Sequence, residues 1–550
     1  MGYKIRFFIV VILLLIFAGG IEAQTTDWKI KSAAWTEKDE KSYSEFVAAI
    51  GLAVEKRECN SLQSCLKHPN NPYRGSDSDQ LDLFADCAKL SYVLRGYFAW
   101  KNSLVFSVVD DVELRDVPEN TGDKRYSKFG NQVTSRRDLI PKQSQSKWKL
   151  LDAIKVLNQT IPDAVFSANY RVTYENSDDD LLFTDFYPIS LNRSSLRPGT
   201  SIYDPNGHVA IVYKVTSDGK IYFIDAHPDN SLTSGLFGTK FVRSNPGQGA
   251  GFKNFRPLKL VGAIFDPALG SYVGGNVRPF KNSELKDFDL LQFFGTARAP
   301  RPDWNKGVFE VDGTKVSYYD YLRTKLSVGN LQLNPENEIK SLAQDLCQSA
   351  QDRVEAVAGA LKTGIQLKAH PERLPFNIYG TSGEWEDSST PSRDARFKTT
   401  FVELRQLAQD LLTKFEQRDP HLVYTGTNIK ADMLNAYLKI SNSCQIIYSK
   451  SNAAKVQLSL EQVRQRLFDL SFDPYHCPEL RWGARDPSEL ATCADDGEKR
   501  SWYTQEVWLR NQIERRYDQR MDFSLVELTG PKPGAGVAQP PDVDLVKFLK

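Results

Sequence analysis

Cys87 follows Asp86 and opens a stretch in which Leu90, Val93, Leu94, Tyr97 and Phe98 recur at helical spacing. A thiol in the first turn of a helix sits at the positive end of the backbone dipole, which favours thiolate over thiol. Farther along, Gly207-His208-Val209-Ala210-Ile211-Val212 reads as a strand led by a histidine, and the next strand ends in Ile224-Asp225-Ala226-His227. Nucleophile, base and orienting acid therefore occur in the order Cys87, His208, Asp225, with His227 as an auxiliary or alternative to the acid. Such a set performs acyl transfer: the base takes the thiol proton, the third group orients the base, and the thiolate attacks a carbonyl. Backbone N–H groups at the helix start, aided by Tyr73 or Gln80, are the candidates to hold the oxyanion, with Asp86 beside them.

Strand alternation makes the arrangement checkable. An even-length turn around Asp218-Gly219 puts His208, Asp225 and His227 on one face, and Val209, Ile211 and Tyr213 on the other with Tyr222 and Ile224. A bulge would break that pattern.

The rest of the chain bounds the setting. It has 550 residues, 41% hydrophobic and 25% charged, with a formal net charge of +1. That length accommodates two or three domains, and the charge offers no basic face for nucleic acid. Lys4 and Arg6 precede an apolar run from Phe7 to Phe17 and then Ala18-Gly19-Gly20-Ile21-Glu22-Ala23, the zones of a secretory signal, 1–23, cleaved after Ala23. The mature chain is thus expected to be exported, periplasmic or secreted, with no further membrane span. In an oxidising compartment seven cysteines leave one over. Cys59 and Cys65 are close enough for a local bridge, and Cys477 and Cys493 flank a Pro- and Gly-containing loop. Cys347 and Cys444 lie in helical segments and read either as a pair or as buried thiols. Cys87 has no evident partner.

Residues 24–300 are read as a catalytic domain with an insertion near 104–195, 301–530 as a helical domain, and 531–550 as a flexible tail. The helical part rests on Asn334-Pro335 as a helix start and on the stripe Ile339, Leu342, Leu346, Ala350, Val354, Val357, Leu361. His68, His370, His421 and His476 are scattered singly without zinc-ligand spacing, so neither metal nor cofactor is expected. Asp178-Asp179-Asp180 reads as a solvated loop. Oligomeric state is not legible.

Pro72-Tyr73-Arg74-Gly75 followed by Phe84-Ala85-Asp86-Cys87-Ala88-Lys89-Leu90 resembles the Tyr-x-x-Gly … Asp-Cys-Ser-Gly signature of NlpC-type cell-wall cysteine peptidases. Leu196-Arg197-Pro198-Gly199-Thr200 … Gly207-His208-Val209-Ala210-Ile211-Val212 is similar to their Pro-Gly-Asp … His-Val-Gly-Ile segment, and to the related cysteine/histidine-dependent amidohydrolase/peptidase family. The resemblance covers about a quarter of the chain. It departs from the pattern at Ala88-Lys89, where a small Ser-Gly pair is usual, and at Thr200, where Asp is usual. It also departs in the long segment between Cys87 and His208. The resemblance implies an α+β, papain-like (NlpC-type) helix-plus-antiparallel-sheet catalytic domain followed by an α-helical C-terminal domain. It implies a peptide or peptidoglycan substrate and cleavage of amide bonds. A transglutaminase-like acyltransferase shares the Cys-His-Asp order, and a catalytically inert secreted scaffold is the reading from a different class.

Overall fold

The computed structural model describes residues 26–115, 122–174, 183–243, 245–297, 304–380, 383–514, 516 and 519–550. Residues 1–23, expected to be a secretory signal, and Asp178-Asp179-Asp180 lie outside the described residues. The architecture is mixed helix and antiparallel sheet.

Helix α1 (Glu37–Glu55) starts at a capping box in which Thr36 and Asp39 satisfy each other's backbone N–H groups. Helix α2 (Cys87–Lys101) starts at Asp86, whose Oδ1 accepts from the N–H groups of Ala88 and Lys89 at 3.0 and 2.9 Å. Of its 15 residues, 12 are buried, so α2 is a central helix rather than an amphipathic surface one. Even Arg95 is enclosed, stacked 3.5 Å from the Trp35 ring centre and paired with Glu40.

Strands β1 (Phe106–Leu114) and β2 (Asn131–Leu139) form a two-stranded ribbon. The main sheet contains β3 (Phe186–Pro188), β4 (Ser201–Asp204), β5 (His208–Val215), β6 (Ile221–Ala226), β7 (Leu232–Leu236) and β8 (Gly251–Phe255), in the order β7-β6-β5-β4-β8-β3 with every pairing antiparallel. Val209, Ile211, Tyr213, Ile224 and Ala226 face α1 and α2 in the largest core, while Ala210, Val212, Ile221 and Phe223 pack on the other side with Phe241 and Leu326. A bulge does interrupt the β5–β6 pairing: Tyr222 opposes Lys214 but Phe223 opposes Val212. With Val215 opposite Ile221 the turn encloses an odd number of residues, which alone would set His208 and Asp225 on opposite faces; the bulge at Tyr213 shifts the register by one and brings them to the same face.

Helix α1 crosses β5 at Gly51, where an added Cβ would sit 2.2 Å from that of Tyr213. Gly51→Ala is therefore expected to destabilise the protein by about 1–3 kcal/mol despite its gain in helix propensity. A lowered urea midpoint would show it, and an unchanged or raised midpoint would mean the helix and strand have room to separate.

The helical half packs α3 (Pro335–Lys362), α4 (Pro391–Glu416) and α5 (Ile429–Ser443) around Ile339, Leu346, Phe401, Leu404, Met433 and Tyr437. All three candidate pairings form disulfides, Cys59–Cys65, Cys347–Cys444 and Cys477–Cys493; the second ties α3 to the residue following α5, and Cys87 remains free. This half docks on the β7 edge, where Asp345 accepts from the Leu236 N–H at 2.6 Å and pairs with Lys240 at 2.7 Å.

One expectation is corrected. The 531–550 segment is not a loose tail: Leu545–Leu549 is a short helix whose Leu545 and Leu549 are buried in the helical core, because their four-residue spacing puts both on one face. The insertion near 104–195 is anchored by Phe106, Val108, Leu157 and Ile161, which are buried in the main core. Its polar composition reflects exposed strands such as Lys142–Ser144 that flank those buried positions.

Candidate active site

Two local devices set up the site. The Asp86 cap fixes the first turn of α2, so Cys87 emerges at the helix start, half-buried, on the wall of a cavity of about 180 Å³. His208 opens β5 and lines the same cavity, as does His227 just beyond β6. The backbone N–H of Val209, next to His208, is near enough to the Cys87 sulfur to favour its charged form. His208 Nε2 lies 2.7 Å from Asp225 Oδ2. With Nε2 committed to the carboxylate, Nδ1 is the nitrogen that can serve as base. Asp225 is braced in turn: Thr233 donates its hydroxyl to Oδ1, His227 Nε2 lies 3.6 Å from Oδ1, and Arg396 lies 3.7 Å from Oδ2. The structure thus brings together Cys87, His208, Asp225, His227 and Asp86.

Tyr73 and Gln80 are elsewhere. The Tyr73 hydroxyl bonds Asn102, the C-terminal cap of α2, about 22 Å along the helix from Cys87. Gln80 is exposed on a turn, its carbonyl accepting from Asn158. Sequence proximity to Cys87 misleads here because the chain runs the length of α2 before delivering the thiol. The Asp86 carboxylate occupies the N–H groups of Ala88 and Lys89, leaving the Cys87 N–H as the first-turn donor that the cap does not take. Lys89, where the family resemblance expects Gly, is held by Asp86 at 2.5 Å rather than lying free beside the thiol.

Electrostatics overturn the expected thiolate. Burial, reinforced by the Asp86 charge, pushes the Cys87 thiol up to about 12 against the favourable Val209 N–H. Burial, then the Arg396 charge, brings His208 down to about 3 against the pull of Asp225. Burial alone would raise the Asp225 carboxyl, but the two histidines outweigh it and hold it well below the usual carboxylate range. The resting site is thus a neutral thiol beside a neutral imidazole oriented by an ionised carboxylate. Helix-end polarity, worth about 0.3–1 kcal/mol, is the smaller effect.

These shifts carry a pH signature. His208, and His227 in the same direction, take up protons less readily folded than unfolded. Their contribution to stability is complete above the unfolded value near 6.5 and is lost as pH falls toward 3, because the unfolded chain then binds more protons. Urea midpoints are expected to drop steadily from pH 6.5 to 4, and His208→Gln should flatten the slope. A midpoint independent of pH across that window would contradict the neutral His208.

Several site residues were not found from sequence. The helical half closes the cavity with Tyr379, Glu386, Arg393 and Arg396, and the 104–195 region adds Arg125 and Ser167. One signal was available. Arg393 and Arg396 stand in the first turns of α4, where the helix dipole disfavours cations. Their partners lie at the end of β6 and in the turn that follows it: Arg393 bonds Asp229 at 2.7 Å and Ser231 at 2.8 Å, and Arg396 faces Asp225. A larger cavity of about 450 Å³ lies elsewhere, around Lys220, Arg323, Glu338 and Glu403, and its walls hold no cysteine or histidine.

No protein-family model, no curated protein and no solved structure matches this chain.

Proposed function

We propose that the chain is an exported cysteine hydrolase that cleaves amide bonds in peptides, those of peptidoglycan being the substrate class suggested by the resemblance of its Cys87 and His208 segments to NlpC-type peptidases. The observation that carries this reading is a free cysteine at a helix start sharing one cavity with a histidine whose far nitrogen is held by a buried aspartate. Three disulfides, and the absence among the described residues of any helix long and apolar enough to cross a membrane, are compatible with export.

In this reading His208 Nδ1 takes the Cys87 proton as the sulfur attacks the substrate carbonyl. The Asp225 carboxylate keeps the ring oriented and stabilises the imidazolium that forms. The Cys87 N–H supports the oxyanion. The amine leaves with the proton returned from His208, and water, activated by the same ring, releases the acid from the thioester. Since the thiol is neutral at rest, proton transfer accompanies attack instead of preceding it.

The test is digestion of purified peptidoglycan by the mature protein, with products read by mass spectrometry. Fragments carrying one added water per cut bond are expected. Products joined to an added amine, with no hydrolysis, would replace the hydrolase by the acyltransferase. No product from peptidoglycan or from its isolated stem peptides would defeat the substrate assignment.

A further inference from the structure

Beneath the cavity wall, in the helical half, His370, Asp473 and Glu506 converge without solvent. Asp473 and Glu506 are 0% exposed and the His370 side chain equally so. One ligand atom from each lies within 4.8 Å of the other two. The hydrogen bonding around them leaves Glu506 without a donor. His370 Nδ1 donates to the Pro371 carbonyl at 2.7 Å, which leaves Nε2, 2.6 Å from Asp473 Oδ2, as the ring's available ligand atom. Glu506 turns toward the same point, and neither of its oxygens receives a hydrogen bond from the described residues. The neighbouring bases stop short. Arg510 and His476 both lie 3.9 Å from Glu506 Oε2, with Arg510 bonded to the Tyr503 carbonyl and His476 to Ser471 and the Lys499 carbonyl. Asp473 Oδ1 accepts from the Tyr475 N–H at 2.7 Å, but a carboxylate buried as Glu506 is carries a desolvation cost of several kcal/mol unless a cation meets it.

We propose that His370, Asp473 and Glu506 form a buried structural site for a divalent transition metal of the zinc type. An imidazole with two carboxylates suits such a borderline cation better than a thiolate-seeking or purely oxygen-seeking one. Bonds of about 2.0–2.1 Å require the Nε2 and Oδ2 atoms to stand about 3.3 Å apart, a modest opening of the 2.6 Å contact. The ligands come from three remote segments, which explains why no zinc spacing is visible in the sequence. The Trp502 ring stacks 4.0 Å from that of His370, and Leu374, Ile378 and Trp385 share the surrounding core. Ile378 also lines the Cys87 cavity, so the cation would pin the wall that the helical half contributes to the active site.

Because the ligands are enclosed, the cation is taken up on folding. The test is metal analysis of full-length mature protein produced with zinc available and then dialysed against metal-free buffer. Wild type should retain about one zinc per chain and Glu506→Gln less than a tenth of that. The X-ray absorption spectrum of the wild type should show nitrogen and oxygen ligands and no sulfur. This second readout stands even if the variant fails to fold. Metal-free wild type, equal retention by folded Glu506→Gln, or sulfur ligation would each overturn the site. In the first case, a variant as stable as wild type would identify the cluster as a carboxylic acid pair sharing a proton.

Discussion

Cys87→Ala is expected to lower amide turnover by about 10⁴–10⁶-fold, since it removes the atom that forms the thioester. The fold should be unaffected, because the half-buried thiol lines a cavity instead of filling core. Asp225→Asn is the more informative companion. Asn matches the shape of Asp, but its amide presents an N–H to one side, and the carboxylate that selects the Nε2–H tautomer of His208 is gone. With Nε2 no longer held as the donor, Nδ1 carries the proton in the competing tautomer and ceases to be a base. A loss of about 10³–10⁴ in kcat with little change in KM is expected. Loss of the charge also removes the partner that Arg396, His227 and Thr233 surround. Equal activity of wild type and Asp225→Asn would assign the orienting role to His227. Full activity of Cys87→Ala would end the cysteine mechanism.

The largest expected effect on stability lies in the helical half. Arg353 and Asp394 form a two-pronged pair, Nε to Oδ1 at 2.7 Å and Nη2 to Oδ2 at 3.0 Å, with both side chains almost fully enclosed. Arg353 also donates to the Ser471 carbonyl at 3.0 Å, and Asp394 accepts from the Thr390 hydroxyl. Breaking such a pair from one side strands a buried charge, at about 3–5 kcal/mol. Asp394→Asn should therefore shift the urea transition of this half strongly. The double substitution Arg353→Met, Asp394→Leu should cost less than the single one, since no charge is left behind. Asp394 stands one residue after Arg393 and two before Arg396, so loosening this turn should also lower turnover by disturbing the cavity wall. A single variant within about 1 kcal/mol of wild type, or a double variant worse than the single, would show that the pair is solvated in solution.

The parts of this site that could be read in the sequence were those with local signals. Asp86 before an apolar periodic run marks a helix start, and its cap is where the thiol emerges. Strand alternation with an even turn was expected to put His208 and Asp225 on one face; the turn is odd, and it is the bulge at Tyr213, which sequence does not announce, that brings the two to the same face. The local bridges Cys59–Cys65 and Cys477–Cys493 followed from short spacing, whereas Cys347–Cys444 spans 97 residues and was indistinguishable from two core thiols. Tertiary facts were not legible. Nothing near Cys87 in the chain announces that Arg396, some three hundred positions later, will stand beside Asp225. The thiol's ionisation could not be read either, because the helix dipole is encoded locally and the burial opposing it is not. Tyr73 and Gln80 failed for the converse reason, being near in sequence and remote in space.

The pairing of sulfur and imidazole is tested most directly by exposing the folded protein to a peptidyl vinyl sulfone at neutral pH and measuring intact mass over time. Wild type should gain a single adduct, mapped to Cys87, and His208→Ala should gain it at least a hundred times more slowly while keeping its thermal transition. An adduct rate unchanged by loss of His208, or a Cys87 that stays unmodified in protein shown to be folded, would mean that the two residues share a cavity without sharing a proton.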